Sequence, residues 1–164
     1  MRKAFLVLTV ALLVIGAAGL AGCGCGGTGV NVNKDNGSIN INSEKGSVSL
    51  NNKTPTEAEL GVPIYPNAKA VENASASYTE GQTTYTAAQF VTGDPVATVI
   101  TWYKGKLSGK PGFIDMSTAE GGILSFQDGN VIRSVTVGPG SVEQQGKTVI
   151  AIMSGTGTMP QFSQ

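Results

Sequence analysis

One segment of the chain has the periodicity of an amphipathic helix, and this segment constrains the fold more than any other feature. Its apolar residues recur at intervals of three and four, which places them on one side of a helix. They are Val96, Val99, Ile100, Tyr103 and Leu107. Asp94 is a favourable N-cap and Pro95 suits the first helical position. A stripe of this kind on a single helix has to cover an apolar surface, and the rest of the chain predicts a β-sheet.

The segments on either side of the helix alternate apolar and polar residues, as strands do. Six runs share this pattern: 69–78, 84–92, 112–116, 122–127, 130–138 and 147–154. Asp128-Gly129-Asn130 between two apolar residues predicts a tight hairpin. The sequence therefore predicts an α+β domain over 60–154, in which one amphipathic helix packs on an antiparallel sheet in the order β-β-α-β-β-β-β. A loose tail is expected at 155–164.

Residues 23–59 are rich in Gly, Asn and Ser and contain a loose repeat. The three units are GVNVNKDN, GSININSEK and GSVSLNNK. A period of about nine residues is compatible with short strands in a β-meander, and also with a flexible spacer. Because three such units bury little apolar area, we expect a flexible tether with weak β-structure.

The first 22 residues are typical of a secretory signal peptide that is removed from the mature chain. Arg2 and Lys3 precede an almost wholly apolar run from Phe5 to Leu20, and small residues follow. The run is at the short end of what spans a bilayer, roughly 17–25 residues, and no basic cluster follows it. The sequence therefore predicts an exported protein.

Leu20-Ala21-Gly22-Cys23 resembles the lipobox of bacterial lipoproteins. The resemblance implies that lipoprotein-processing enzymes attach a diacylglycerol group to the Cys23 thiol and cut before this residue, with Leu20, Ala21 and Gly22 as the recognition sequence. The mature protein is then anchored by its fatty acids, palmitate among them, to the bacterial cell membrane or outer membrane. Cys25 becomes a lone thiol, which is free, paired between molecules or a tolerated small residue.

A second pattern lies in the domain itself. Ile64-Tyr65-Pro66-Asn67-Ala68 is followed, before the helix, by Thr92-Gly93-Asp94. The pair is similar to small uncharacterised bacterial envelope lipoproteins, in which a YPxA motif leads to a helix opened by T-x-D. This resemblance bears on the fold and implies no chemistry.

The composition offers little for catalysis. The chain has no histidine, which removes the Ser/His and Cys/His dyads and His-ligated zinc. Asp115, Glu120 and Asp128 are candidate paired carboxylates, although each falls at a predicted turn. Eleven basic residues balance eleven acidic ones, which disfavours nucleic-acid binding. We therefore expect no enzymatic activity, no cofactor and no metal.

These features together predict a lipid-anchored, non-enzymatic envelope protein with a binding or structural role toward an unknown envelope partner. An alternative is a small-ligand-binding lipoprotein with a pocket between the helix and the sheet. Four aromatic residues are candidate ligand contacts: Tyr78, Tyr85, Trp102 and Tyr103. A filled helix–sheet interface would argue against such a pocket.

Overall fold

A computed structural model describes residues 29–33, 38–42, 46–51, 53–141, 144 and 146–156. Within them nine strands form one antiparallel sheet, accompanied by two short helices. The strands are β1 (Gly29–Asn33), β2 (Ser38–Asn42), β3 (Ser47–Asn51), β4 (Lys69–Glu80), β5 (Thr83–Thr92), β6 (Ile114–Thr118), β7 (Gly121–Asp128), β8 (Val131–Pro139) and β9 (Thr148–Thr156). The helices are α1 (Glu57–Leu60) and α2 (Val96–Leu107).

The strands lie side by side in the order β1-β2-β3-β4-β5-β9-β8-β7-β6. After β5 the chain crosses one face of the sheet as α2 and reaches the far edge at β6. It then returns strand by strand until β9 pairs with β5. This path explains why α2 contacts β6, β7 and β8, whereas α1 contacts β5 and β9.

An α+β class is compatible with this architecture, but the predicted order and the single helix need correction. The six predicted runs each overlap one of the strands β4 to β9. However, β1, β2, β3 and α1 precede them, so the order is longer than expected. The helix α1 has a sequence signal that was overlooked: Thr56 and Glu59 form a capping box, in which each side chain accepts a hydrogen bond from the backbone N–H of the other.

The repeat units form β1, β2 and β3, which is the meander and not the favoured flexible tether. They extend the sheet because β3 pairs with β4 along five residues, from Ser47 opposite Thr79 to Asn51 opposite Ser75. The units bury little apolar area by themselves, but they add to an existing sheet edge and do not have to form a core of their own. The predicted signal peptide at 1–22 lies outside the described residues and stays a prediction. Of the loose tail expected at 155–164, Gly155 and Thr156 belong to β9, and the rest lies outside the described residues.

The core lies between the helices and the neighbouring strands β5, β9, β8 and β7. The buried residues of α2 are four of the predicted stripe, Val99, Ile100, Tyr103 and Leu107. They pack in one cluster with buried side chains of the sheet: Ala88, Phe90, Leu124, Phe126, Val135, Val137, Ile150 and Ile152. Leu60, at the end of α1, belongs to the same cluster. Both helices therefore cover the same face.

Asp94 does not cap α2, which is a second correction. The N-cap is Pro95, and no side chain caps the helix there. The Asp94 side chain instead accepts a hydrogen bond from the Tyr65 hydroxyl, at 2.7 Å. The Asp94 carboxylate, which the local sequence assigns to the helix N-cap, therefore binds the hydroxyl of Tyr65, a residue distant in the sequence.

The end of α1 depends on a close contact between Gly61 and Arg133. Gly61 has a left-handed backbone (φ 62°), and its N–H donates to the Glu57 carbonyl at 2.7 Å. A Cβ at this position would collide with the Arg133 guanidinium, which also packs over the Phe126 ring at 5.7 Å. Gly81 has a similar φ of 58° but open space around the missing side chain.

We predict that Gly61→Ala destabilises the protein more than Gly81→Ala does. Both substitutions place alanine in a left-handed conformation, at a cost of about 1 kcal/mol. Gly61→Ala also displaces Arg133, so its total cost should be about 2 kcal/mol or more. Urea unfolding of the full chain measures both. Equal losses in the two variants would show that Arg133 moves aside freely.

Candidate functional site

The four aromatic candidates form two separate pairs and line no common pocket. Trp102 and Tyr103 lie edge to face on α2, with ring centroids 4.8 Å apart. Tyr78 and Tyr85 are cross-strand partners whose rings stack at 6.3 Å. Tyr85 points away from the helices, because it alternates with the buried residues Ala88 and Phe90 along β5.

The interface between α2 and the sheet is filled. Val99, Tyr103 and Leu107 are each 0% exposed, and the sheet residues opposite them are buried as well. Trp102 is half-buried at the edge of this interface, where Lys106 lies 5.6 Å above its ring. Packing of this kind argues against a ligand pocket between the helix and the sheet.

Tyr65 ties the YPxA motif to the start of α2. Its ring lies 5.2 Å from that of Trp102, and its hydroxyl donates to Asp94. This hydrogen bond, helped by burial, raises the pKa of Tyr65. The Asp94 carbonyl also accepts from the Thr148 hydroxyl at 2.6 Å, which fastens the same loop to β9. The two motif halves therefore have a structural role.

The three candidate acids do not converge. Asp115 pairs with Lys104 of α2 at 2.8 Å, and the hydrogen bonds from Lys104 and Ser117 lower its pKa. Asp128 lies 3.6 Å from Arg133. Asp115 pairs with Leu124 of β7, and Leu124 is four residues from Asp128 on the same strand. The backbones at the two acids are therefore roughly 13 Å apart. Glu120 lies in the turn between β6 and β7.

The described part of the chain contains no cluster of three or more metal-ligating side chains. A shallow cleft of about 150 Å³ lies where α1 meets β4 and β5. Its lining residues are Lys53, Pro55, Glu59, Ser75, Ala76, Ser77 and Thr86. Ligand pockets usually exceed about 300 Å³. Glu59 is moreover engaged by Thr56.

The two faces of the sheet differ sharply in what covers them. We call the face opposite the helices the open face, and three neighbouring cross-strand rows form its central part. The first row runs from Val30 to Ile132, the second from Ile39 to Ile114 and the third from Gln89 to Met116. The large apolar residues that remain exposed all lie on it: Val30 (62%), Met116 (59%), Met153 (44%), Ile114 (40%) and Ile123 (38%).

Sequence reasoning missed the open face. Alternation along each strand is visible in the sequence, but it does not say which of the two faces the helices cover. The candidate lipidation residue Cys23 and the recognition residues Leu20, Ala21 and Gly22 lie outside the described residues, as does Cys25. Among the described helices, neither is long and apolar enough to span a bilayer.

Comparison of the chain with known protein families, curated proteins and solved structures finds no match.

Two buried tyrosines allow a matched test of these contacts. The Tyr103 hydroxyl is buried and makes no hydrogen bond of good geometry, although the Tyr65 backbone lies close to it, whereas the Tyr65 hydroxyl donates to Asp94. Tyr65→Phe should cost about 1 kcal/mol of stability at pH 7, since it removes a hydrogen bond to a charged group. Tyr103→Phe should cost nothing or stabilise the protein, because it removes an unpaired buried group. Urea unfolding measures both, and a loss in Tyr103→Phe equal to that in Tyr65→Phe would contradict the assignment.

The same residues predict a pH dependence. Burial raises the pKa of Tyr103 in the folded state. Its hydroxyl therefore stays protonated in the folded chain while the unfolded chain loses the proton near pH 10, so stability is complete below about pH 10 and falls as the pH rises. Tyr103→Phe should flatten this fall. If the free energies of unfolding of variant and wild type changed in parallel from neutral pH to above pH 10, this prediction would be wrong.

Proposed function

We propose that the protein is a lipid-anchored, non-enzymatic envelope protein of bacteria, in which the sheet has a binding or structural role toward another envelope component. The lipobox at Leu20-Ala21-Gly22-Cys23 supports the anchor. The short stretch of sequence between Cys23 and the first strand supports a function at the membrane.

The start of β1 is the observation that carries this proposal. Gly29 is the sixth residue after Cys23, so an extended chain between them reaches at most about 20 Å. A lipid on Cys23 would therefore hold the edge of the sheet close to the bilayer, and not at the end of a long spacer. In this arrangement 60–154 is the central β-β-α-β-β-β-β unit with its one amphipathic helix, α2, and β1–β3 extend it toward the membrane.

The arrangement of side chains supports a non-enzymatic role. The candidate carboxylates are separated, and Asp115 and Asp128 each pair with a different cation. General acid–base chemistry on a glycoside would need two carboxyl groups within about 10 Å. The filled interface under α2 likewise favours binding at the surface of the sheet over the alternative of an internal ligand pocket.

We expect Cys23→Ala to abolish lipid attachment. Cells expressing the full chain would be labelled with radioactive palmitate, and the protein would be followed by autoradiography and membrane fractionation. Wild type should carry label and sediment with membranes, because two or more acyl chains anchor a protein stably. Cys23→Ala should lose the label and its membrane association.

Cys25→Ala is the matched control, since it removes a thiol only two residues away. It should keep both the label and the membrane association. Label that persists in Cys23→Ala and disappears in Cys25→Ala would move the anchor to the other cysteine. Label that persists in both would refute the lipobox assignment.

A further inference from the structure

We propose that the open face of the sheet is a dimer interface, on which a second copy of the same chain packs face to face. The proposal goes beyond the lipid anchor and does not depend on it. Its starting point is that the exposed large apolar side chains gather on this one face, whereas both helices lie on the other. Contiguous exposed apolar surface of this kind marks an interaction site.

The open face is unusual in its charge. The three cross-strand rows that define it contain no Asp, Glu, Lys or Arg among the described residues. Lys104, Asp115 and Arg133 lie on the helix-covered side. Glu80, which accepts a hydrogen bond from the Tyr78 hydroxyl, and Lys69, which pairs with Val91, are on the open face, but in the rows that flank these three. In a symmetric dimer the same patch meets itself, and a charge near the two-fold axis would face its own copy. The uncharged central rows avoid this repulsion.

Tyr85 helps to make the face suitable for packing against a flat partner. A Cβ on Gly155, its cross-strand neighbour, would collide with the Tyr85 ring, so the ring lies down over the glycine. Tyr78 stacks beside it from the next strand. The two rings therefore lie along the sheet and fill the gap above Gly155, as aromatic residues do over glycines in β-sheets.

The area is sufficient for a stable dimer. The three rows cross seven, eight and five strands, and each position on them occupies about 4.8 by 6.8 Å, which gives close to 650 Å² per copy. Two copies would bury about 1,300 Å², which lies within the range of roughly 1,200–2,000 Å² for specific interfaces. Even if sheet twist leaves a quarter uncovered, about 1,000 Å² remains. Two sheets pack in this way about 10 Å apart, as in a β-sandwich.

A second copy fits this surface better than the other occupants do. A charged protein partner would find no complementary charge on the three central rows. A phospholipid surface would present phosphates, and the rows contain no cation to bind them. A second copy would present the same uncharged apolar rows, so neither side of the interface would need a complementary charge.

The full chain, purified from cells in mild detergent, tests the proposal by sedimentation velocity. We expect wild type to sediment as a dimer. Met153→Asp and Met116→Lys place a charge at exposed positions of β9 and β6, and each should raise the dimer Kd about 100-fold or more, because the dimer would bury an unpaired charge. Ala97→Asp is the matched control on the exposed side of α2, and it should leave the Kd unchanged.

A second measurement does not depend on the stability of these variants. A photoreactive phenylalanine analogue at position 153 should cross-link two copies in living cells, whereas the same analogue at position 97 should not. A wild-type chain that remains monomeric at about 100 µM, well above the µM–pM range for interfaces of this size, would overturn the proposal. A dimer Kd that Met153→Asp leaves unchanged would also overturn it. So would an analogue at position 153 that cross-links only to added zwitterionic phospholipid vesicles, which would make lipid the occupant.

Discussion

The pairing of β5 with β9 holds the two halves of the sheet together. β1 to β5 form one run of neighbouring strands and β6 to β9 form another, and eight residue pairs join them, from Tyr85 opposite Gly155 to Thr92 opposite Thr148. Within this ladder Phe90 lies beside Ile150 at the centre of the core. Without it, neither half would offer a surface wide enough for both α1 and α2 to cover.

This ladder also accounts for the unlike faces of the sheet. The register between β4 and β5 shifts between Ala70 and Ser75, but the pairing is regular along 75–80. The rows that pass through this part of β4 therefore keep their side of the sheet from strand to strand. One row on the helix-covered side passes through Ser49, Ser77 and Thr86, and these residues are polar because no core lies above them. The same row reaches the apolar core at Phe126 of β7. In β1 to β3 the apolar side chains, such as Ile41 and Val48, are on the open face instead. The exposed apolar surface therefore lies on the face that neither helix covers.

Anchor and open face are compatible within one molecule. The proposed lipid at Cys23 lies near the β1 edge, and a pair of copies held in the same membrane would meet at a high effective concentration. Tyr65, Asp94 and Thr148 meanwhile fasten the loop before α2 to β9, so that the helix is fixed on the side away from the dimer interface. The protein would thus use one face of its sheet to fold and the other to associate.

The sequence by itself determined the elements whose signals are local. The stripe from Val96 to Leu107 specified α2, and alternation specified β4 to β9, because side-chain periodicity follows directly from backbone geometry. Tertiary structure decided the rest. Asp94 became the acceptor of Tyr65 and not a cap, and the glycine-rich repeat joined the sheet at β4, since both outcomes depend on partners about 30 residues away. The open face, too, exists only once β5 meets β9, because burial is a property of the assembled sheet and not of any single strand.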